Sequence, residues 1–220
     1  QVAVKNHKNG MNNPYAQFHK EFTLEQVMNS GYVASPLKLL DCSPITDGAA
    51  VVIIAETEKA KKMVEQPIEI IGSGQASGSI ALTGRENLTE IKATTIAAQK
   101  AFEQAKIGVK DVNVAEVHDC FTIAEIMAIE DLGFFKKGEG GKAVEQGKTA
   151  MDGEIPINTS GGLKAKGHPV GATGVAQAVE IVQQLQGKAE KRQVKEAEIG
   201  LTHNVGGSGA TVVVNLYKKA

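Results

Sequence analysis

The chain has 220 residues, 42% of them apolar, and its 24 basic and 25 acidic residues leave a formal net charge of −1. This composition is typical of a globular protein with a core large enough for one large or two small domains, and it gives no electrostatic reason to expect nucleic acid or a membrane as partner. The two widely spaced cysteines argue against a disulfide framework or a structural zinc site and favour a reducing compartment. The sequence shows no signal-peptide pattern and no apolar run near about 20 residues, so a cytoplasmic location is expected.

The first forty residues are mostly polar. The run from Lys5 to Gly10 has the composition of a solvated loop. Thr23 and Gln26 have the spacing of a capping box, and Gly31 supplies a stop signal. A short helix is therefore expected from Leu24 to Asn29.

After Asp41 the sequence changes from polar residues to a turn-rich segment and then to an apolar run. Cys42 begins a turn-rich segment and is interpreted as a structural residue, because no reactive neighbour accompanies it. The apolar run from Ala49 to Ala55 predicts a strand buried on both faces. A helix capped by Thr57 is expected through Val64, and a second strand from Ile68 to Gly72.

The glycine- and serine-rich piece from Gly72 to Gly84 predicts a mobile working loop. After it, the segment Asn87 to Glu90 again has capping spacing and predicts the start of a helix that ends before Gly108. One face of that helix carries small and apolar residues suited to close packing on a sheet: Ala97, Ala98, Ala101, Phe102 and Ala105.

The segment from Val112 to Val117 predicts a strand that delivers His118, and a helix is expected directly after Phe121. Side chains two apart in an extended segment point to the same side, so His118 and Cys120 would face one cavity if the strand geometry persists. Such strand-to-helix junctions are where α/β proteins assemble ligand sites.

The polar stretch from Gly133 to Gly153 is interpreted as exposed turns without chemistry. Five glycines lie between Gly161 and Gly174, where His168 precedes an amphipathic helix. A third glycine-rich turn, which begins with His203, separates the last two predicted strands, Glu198 to Thr202 and Ala210 to Leu216.

Three strand ends thus present His118 with Cys120, His168, and His203 with Asn204. Taken singly, each histidine is read equally well as a polar residue at a sheet edge; taken together they favour one shared site. A zinc site is a second interpretation, although the spacings are long and no HxxxH or CxxC pair is present. The 161–174 loop could cradle a phosphate, but it lacks the P-loop and GxGxxG patterns.

Three motifs carry a resemblance: His118-Asp119-Cys120-Phe121, Gly167-His168-Pro169-Val170-Gly171-Ala172-Thr173-Gly174, and His203-Asn204-Val205-Gly206. They resemble the thiolase superfamily, in particular the branch related to sterol-carrier-protein-2 thiolase and the acetoacetyl-CoA thiolase-like proteins of archaea. The resemblance covers nearly all of the chain. It implies an α/β thiolase-like fold, with a mixed sheet sandwiched between helices, as the carboxyl-terminal half of a duplicated αβαβα fold.

The resemblance also implies a domain division. Residues 1–47 would be a loop-domain remnant and linker. Residues 48–66 would be the last strand and helix of the amino-terminal half, and residues 67–220 the carboxyl-terminal domain.

Roles follow from the resemblance residue by residue. His168 would take the proton of a nucleophilic cysteine and help hold the thioester oxyanion, and His118 would line the same oxyanion hole. Cys120 would be the acid/base that moves the α-proton of the acetyl group. The remaining expected substrate-binding residues, with a backbone N–H near Val205 or Gly206 as a second oxyanion donor, are Ser160, Gly161, His203, Asn204, Val205 and Gly206.

The activity implied is that of a thiolase-type acyltransferase, either an acetyl-CoA C-acetyltransferase or a 3-ketoacyl-CoA thiolase. Coenzyme A thioesters would be its substrates, with no tightly bound cofactor and no metal. We expect an amino-terminal half, bearing the nucleophile, as partner, an oligomeric assembly, and no activity from this chain alone. The alternatives are a non-catalytic thiolase-like scaffold that binds coenzyme A or a partner, and a truncated product.

Overall fold

The computed structural model describes residues 1–220. Its helices are α1 Val2–Gly10, α2 Leu24–Met28, α3 Thr57–Met63, α4 Lys92–Ala105, α5 Thr122–Asp131, α6 Gly140–Glu145, α7 Gly162–Ala165 and α8 Thr173–Leu185. Its strands are β1 Tyr32–Ala34, β2 Leu37–Lys38, β3 Ile68–Ser77, β4 Val114–Glu116, β5 Ile199–Gly206 and β6 Thr211–Lys219. Short 3-10 turns lie at Leu39–Asp41, Leu82–Gly84, Val109–Asp111 and Glu190–Arg192.

The main sheet has four strands in the order β3-β6-β5-β4. β6 runs antiparallel to both β3 and β5, whereas β4 runs parallel to β5. A further parallel bridge joins Ala115 to Ile157, so the residues before Asn158 lie along the outer edge of β4. The predicted mixed sheet is confirmed.

Helices cover both faces of this sheet. Val114 packs with Ile181 of α8, while its neighbour Ala115 belongs to the larger core that includes Ala97 of α4. Adjacent residues of a strand point to opposite faces, so α4 and α8 lie on opposite sides. The sandwich of helices around a sheet is therefore confirmed.

The close approach of α4 to β3 depends on two glycines. A Cβ on Gly74 would overlap the carbonyl oxygen of Ala97, and one on Gly72 would overlap that of Ala101. Only glycine leaves room for the helix backbone there. The predicted helix face of α4 is confirmed, but the predicted loop from Gly72 is wrong, because β3 continues to Ser77.

The expectation of a solvated loop near the amino end is wrong. Residues 2–10 form α1, in which Asn6, His7 and Asn9 are buried. Two of them have distant hydrogen-bond partners: Asn6 Nδ2 donates to Asp119 Oδ2 at 2.7 Å, and Asn9 Nδ2 donates to the carbonyl of Asn158 at 3.0 Å. Buried polar groups are tolerated when they are hydrogen-bonded.

The expectation of a buried strand from Ala49 to Ala55 is also wrong. The run forms no strand, and Val51 and Ile53 are 79% and 88% exposed. An apolar run becomes a strand only when another strand offers it a ladder of hydrogen bonds. Neither sheet of this chain offers one to these residues.

Smaller differences concern element boundaries. The capping box of α2 is confirmed, whereas Thr57 is the first residue of α3 and makes no capping hydrogen bond. Helix α4 begins at Lys92, beyond the expected capping segment, and α6 lies inside the stretch interpreted as turns. No helix combines the length and apolar character that a membrane crossing requires.

Candidate active site

The strand β4 leads directly into the first predicted motif. Beyond Glu116, the backbone N–H of Val117 donates to Asn158 Oδ1 at 2.8 Å. Residues 118–120 then follow the strand without regular structure until α5 begins. This short segment carries His118 and Cys120 at the carboxyl end of the sheet.

His118 and His168 come together although 49 positions lie between them in sequence. Their ring centroids are 5.0 Å apart with planes at 86°, an edge-on contact. His118 is only 7% exposed, and its Nδ1 has no hydrogen-bond partner. Burial, followed by the nearby His168, lowers the pKa of His118 to about 4, so its ring is neutral near pH 7.

Hydrogen bonds determine which nitrogen of His168 carries the proton. Thr173 Oγ1 lies 2.8 Å from His168 Nδ1 and donates its single proton to the carbonyl of Pro169. With its proton on that carbonyl, the hydroxyl accepts from Nδ1–H, and in this tautomer the Nε2 lone pair is free as a base. Burial and Lys166 lower the pKa of His168, which keeps the ring unprotonated.

The segment around Thr46 fixes the backbone of both reactive segments. The N–H of His168 donates to Thr46 Oγ1 at 3.0 Å, and the N–H of Ser43 donates to the carbonyl of Cys120 at 2.9 Å. A bridge also pairs Cys42 with Phe121. Residues 42–46 thus join the two segments, a role that their sequence did not reveal.

Cys120 is a protonated thiol in this environment. Burial, followed by Asp119, raises its pKa to about 11. A thiol with a raised pKa is poised to donate a proton and becomes a strong base once it has done so. Cys42 is also a free thiol, and burial raises its pKa as well.

His203 lies behind His118. Its Nε2 is 3.0 Å from Thr94 Oγ1, and its Nδ1 accepts from the backbone N–H of His118 at 3.5 Å. Burial and His118 lower the pKa of His203 to about 3. The ring is thus a neutral group behind His118, and its expected role in substrate binding stays a prediction.

The other residues of that motif belong to β5, where the sequence predicted a turn. Asn204 Nδ2 donates to Gln177 Oε1 at 3.0 Å and so links the strand to α8. Val205 and Gly206 pair with Val212 and Thr211 of β6. Their expected role in substrate binding stays a prediction.

Ser160 and Gly161 also lie in the interior. Ser160 Oγ donates to Glu116 Oε2 at 2.5 Å, and its N–H donates to Oε1 at 3.0 Å. Gly161 has a φ of +99° and packs against the backbone of Gly10. Both residues are enclosed by protein, and their expected role in substrate binding stays a prediction.

Several residues of this region escaped the sequence analysis. Thr173 sits in a recognised motif, and its spacing from His168 was the available signal. Thr94 and Asn158 gave none, because their partners are distant in sequence. No cluster of three or more His, Cys, Asp or Glu side chains is arranged to hold a metal ion.

Comparisons with known proteins find relatives that match most of this chain. The family model described as thiolase C-terminal domain-like matches residues 74–219. The acetyl-CoA acetyltransferase of Methanothermobacter thermautotrophicus is 56% identical over 218 residues, which cover 99% of this chain and 57% of that protein. Sterol carrier protein 2 of Bos taurus is 41% identical over 228 residues, covering 99% of this chain and 41% of that protein. The chain spans about half the length of such curated relatives.

Solved structures show the same fold. A chain of an Ltp2-ChsH2(DUF35) aldolase superposes with a TM-score of 0.86 at 26% identity, covering 97% of this chain and 56% of that chain. A monomeric SCP2-thiolase like protein type 1 from Mycobacterium smegmatis gives 0.71 at 16% identity, covering 99% and 44%.

Proposed function

The chain belongs to the thiolase family, and on that premise we propose that it provides the proton-handling part of an enzyme that transfers acyl groups between coenzyme A thioesters. The observation that carries the proposal is the edge-on contact of His118 and His168, with ring centroids 5.0 Å apart, beside the segment that bears Cys120. Two relatives are named acetyl-CoA acetyltransferase, which favours acetyl as the transferred group, and we therefore take acetoacetyl-CoA as the test substrate.

The nucleophile in this proposal is a cysteine from the part of the relatives' length that the chain does not cover. His168 Nε2 removes the proton of that thiol, and the sulfur attacks the 3-keto carbon of a 3-ketoacyl thioester. The C2–C3 bond then breaks. An acyl group stays on the nucleophile, and the enolate of acetyl-CoA takes its proton from the Cys120 thiol.

The second half-reaction returns every proton. The Cys120 thiolate removes the thiol proton of coenzyme A, whose sulfur attacks the acyl-cysteine. The nucleophile leaves as a thiolate and recovers its proton from His168. Condensation is the reverse sequence, so both directions use the same groups.

His118 stabilises the thioester oxyanion in this scheme. The ring is neutral, so one of its two nitrogens carries a proton that it can donate to an oxyanion. His203 accepts from the His118 backbone and holds the ring's segment in place. One oxyanion donor in such sites contributes about 3 kcal/mol.

The test is a chimera in which this chain replaces the matching region of the Methanothermobacter relative. We expect thiolysis of acetoacetyl-CoA, lost by at least about 10²-fold in Cys120→Ala and in His168→Ala. Cys42→Ala, the other free thiol, is the matched control and should keep its activity. A chimera whose rate is unaffected by the first two substitutions would contradict the assigned roles.

A non-catalytic scaffold is the second candidate. The name of the neighbour with a TM-score of 0.86, Ltp2-ChsH2(DUF35) aldolase, includes a DUF35 component and suggests which partner such a scaffold would bind. In this case the chain would bind a DUF35 protein as partner without turning over thioesters. A folded chimera that binds such a protein in calorimetry, and shows no thiolysis, would support it. Light scattering on the same samples measures the proposed oligomeric assembly.

A further inference from the structure

Asp119 separates His118 from Cys120 in sequence, yet its carboxylate is fully buried. Oδ1 accepts the backbone N–H of Leu163 at 2.6 Å, and Oδ2 accepts that of Lys164 at 3.2 Å. Asn6 Nδ2 also donates to Oδ2 at 2.7 Å, so three donors converge on the carboxylate. The carboxylate therefore binds donors inside the protein and has no contact with solvent.

Two of these donors belong to the segment that leads to His168. Leu163 and Lys164 lie in α7, a short distance before His168 in sequence. One carboxylate thus connects the chain segments of both imidazoles. The approach requires Gly162, because a Cβ there would overlap Asp119 Oδ2 and its φ is +61°.

A second set of bonds secures the other side of His118. Asn6 Nδ2 also donates to Glu125 Oε2 at 2.7 Å, and the same oxygen accepts from Asn158 Nδ2 at 2.8 Å. Asn158 in turn accepts the N–H of Val117. The residues on either side of His118 are consequently tied to one buried network.

The network is electrostatically costly. Burial, followed by the nearby Glu125, raises the pKa of Asp119 to about 7, while the Lys5 ammonium lies 2.8 Å from Glu125 Oε1. Two carboxylates facing one ammonium in the interior contribute little net stability compared with apolar packing. Their hydrogen bonds are directional, and each one constrains the position of its donor.

We propose that Asp119 is a positioning residue whose carboxylate fixes the His118–Cys120 segment against the segment of His168 and so sets the contact between the two imidazoles. The consequence for catalysis rests on the proposed function. The geometric consequence does not, because the ring contact exists in this chain without substrate.

The experiment compares Asp119→Asn with the exposed control Asp152→Asn in the chimera. Amide replacement puts an NH2 group or an uncharged oxygen against backbone donors. We expect kcat to fall about 10²-fold while KM stays nearly constant, because misplacement by about 1 Å affects the reacting geometry first. In parallel, histidine-labelled NMR should lose the nuclear Overhauser contact between the His118 and His168 rings in Asp119→Asn only.

Asn6→Ala provides a milder variant, since it removes one of the three donors, and it should weaken the ring contact partially. A retained ring contact and kcat in Asp119→Asn would overturn the proposal. The proposal would also be overturned if circular dichroism showed that both Asp119→Asn and Asn6→Ala are unfolded, because the carboxylate would then serve stability alone. If the unmodified chimera lacks thiolysis, the proposed function fails, while the NMR contact still tests the positioning role.

Discussion

Replacing Thr173 by valine isolates the hydrogen bond that orients His168. Valine keeps the shape of threonine and removes only the hydroxyl, which lies 2.8 Å from His168 Nδ1. The carbonyl of Pro169 also loses a donor, but it still accepts the N–H groups of Ala172 at 2.7 Å and Thr173 at 2.9 Å. The loss therefore falls on the histidine.

The size of the effect follows from the exposure of the ring. An unsatisfied buried donor costs about 1–3 kcal/mol. His168 is only partly buried, so water can replace some of the lost bond, and we expect about 1–2 kcal/mol, or a rate reduced about 5- to 30-fold. The other tautomer, with its proton on Nε2, becomes populated at the expense of the active base.

Thiolysis by the chimera measures the rate, and 15N NMR of labelled histidine measures the tautomer. Thr173→Ser, which keeps a hydroxyl, is the control and should retain most activity and the Nδ1–H tautomer. A valine variant with unchanged rate and unchanged tautomer would refute the role of the Thr173 hydroxyl in setting the tautomer of His168.

Three further predictions concern pH and packing. The lowered pKa of His168 keeps the base neutral in mild acid, so the acid limb of kcat/KM should lie below pH 6.5; a limb above 6.5 would contradict this. His203 titrates near pKa 3 when folded but near 6.5 when unfolded, so its contribution to stability is complete above pH 6.5 and declines as the pH falls towards 3. Urea titrations should show this decline, and it should be smaller in His203→Gln. Gly74→Ala, whose Cβ would overlap the Ala97 carbonyl, should lower the free energy of unfolding by about 3 kcal/mol, whereas Gly31→Ala, with open space around it, should change it little in the same titration.

The sequence predicted the parts of the molecule that local patterns determine. The capping box before α2, the small-residue face of α4 and the helix after Phe121 were all recognised, because spacing within one turn or one strand specifies them. The three histidine motifs were recognised in the same way. Their residue types are visible in the linear sequence, although the motif that begins with His203 lies within β5 and not in the predicted turn.

Contacts between distant segments decided the features that the sequence analysis predicted wrongly. Asn6, His7 and Asn9 look like surface residues, and only partners more than a hundred positions away bury some of them. The run from Ala49 looks like a buried strand, but no strand of this chain pairs with it. Apolar content predicts that a segment prefers burial and cannot supply the surface that buries it.

The division is clearest within the site itself. The sequence alone identified His118, Cys120 and His168 as the groups that can carry protons, because imidazole and thiol chemistry depends on residue type. Only the tertiary structure turned His203 into an internal support for His118 and gave Asp119 its three donors. Hydrogen bonds that join distant segments depend on how helices and strands pack, and no local pattern encodes that packing.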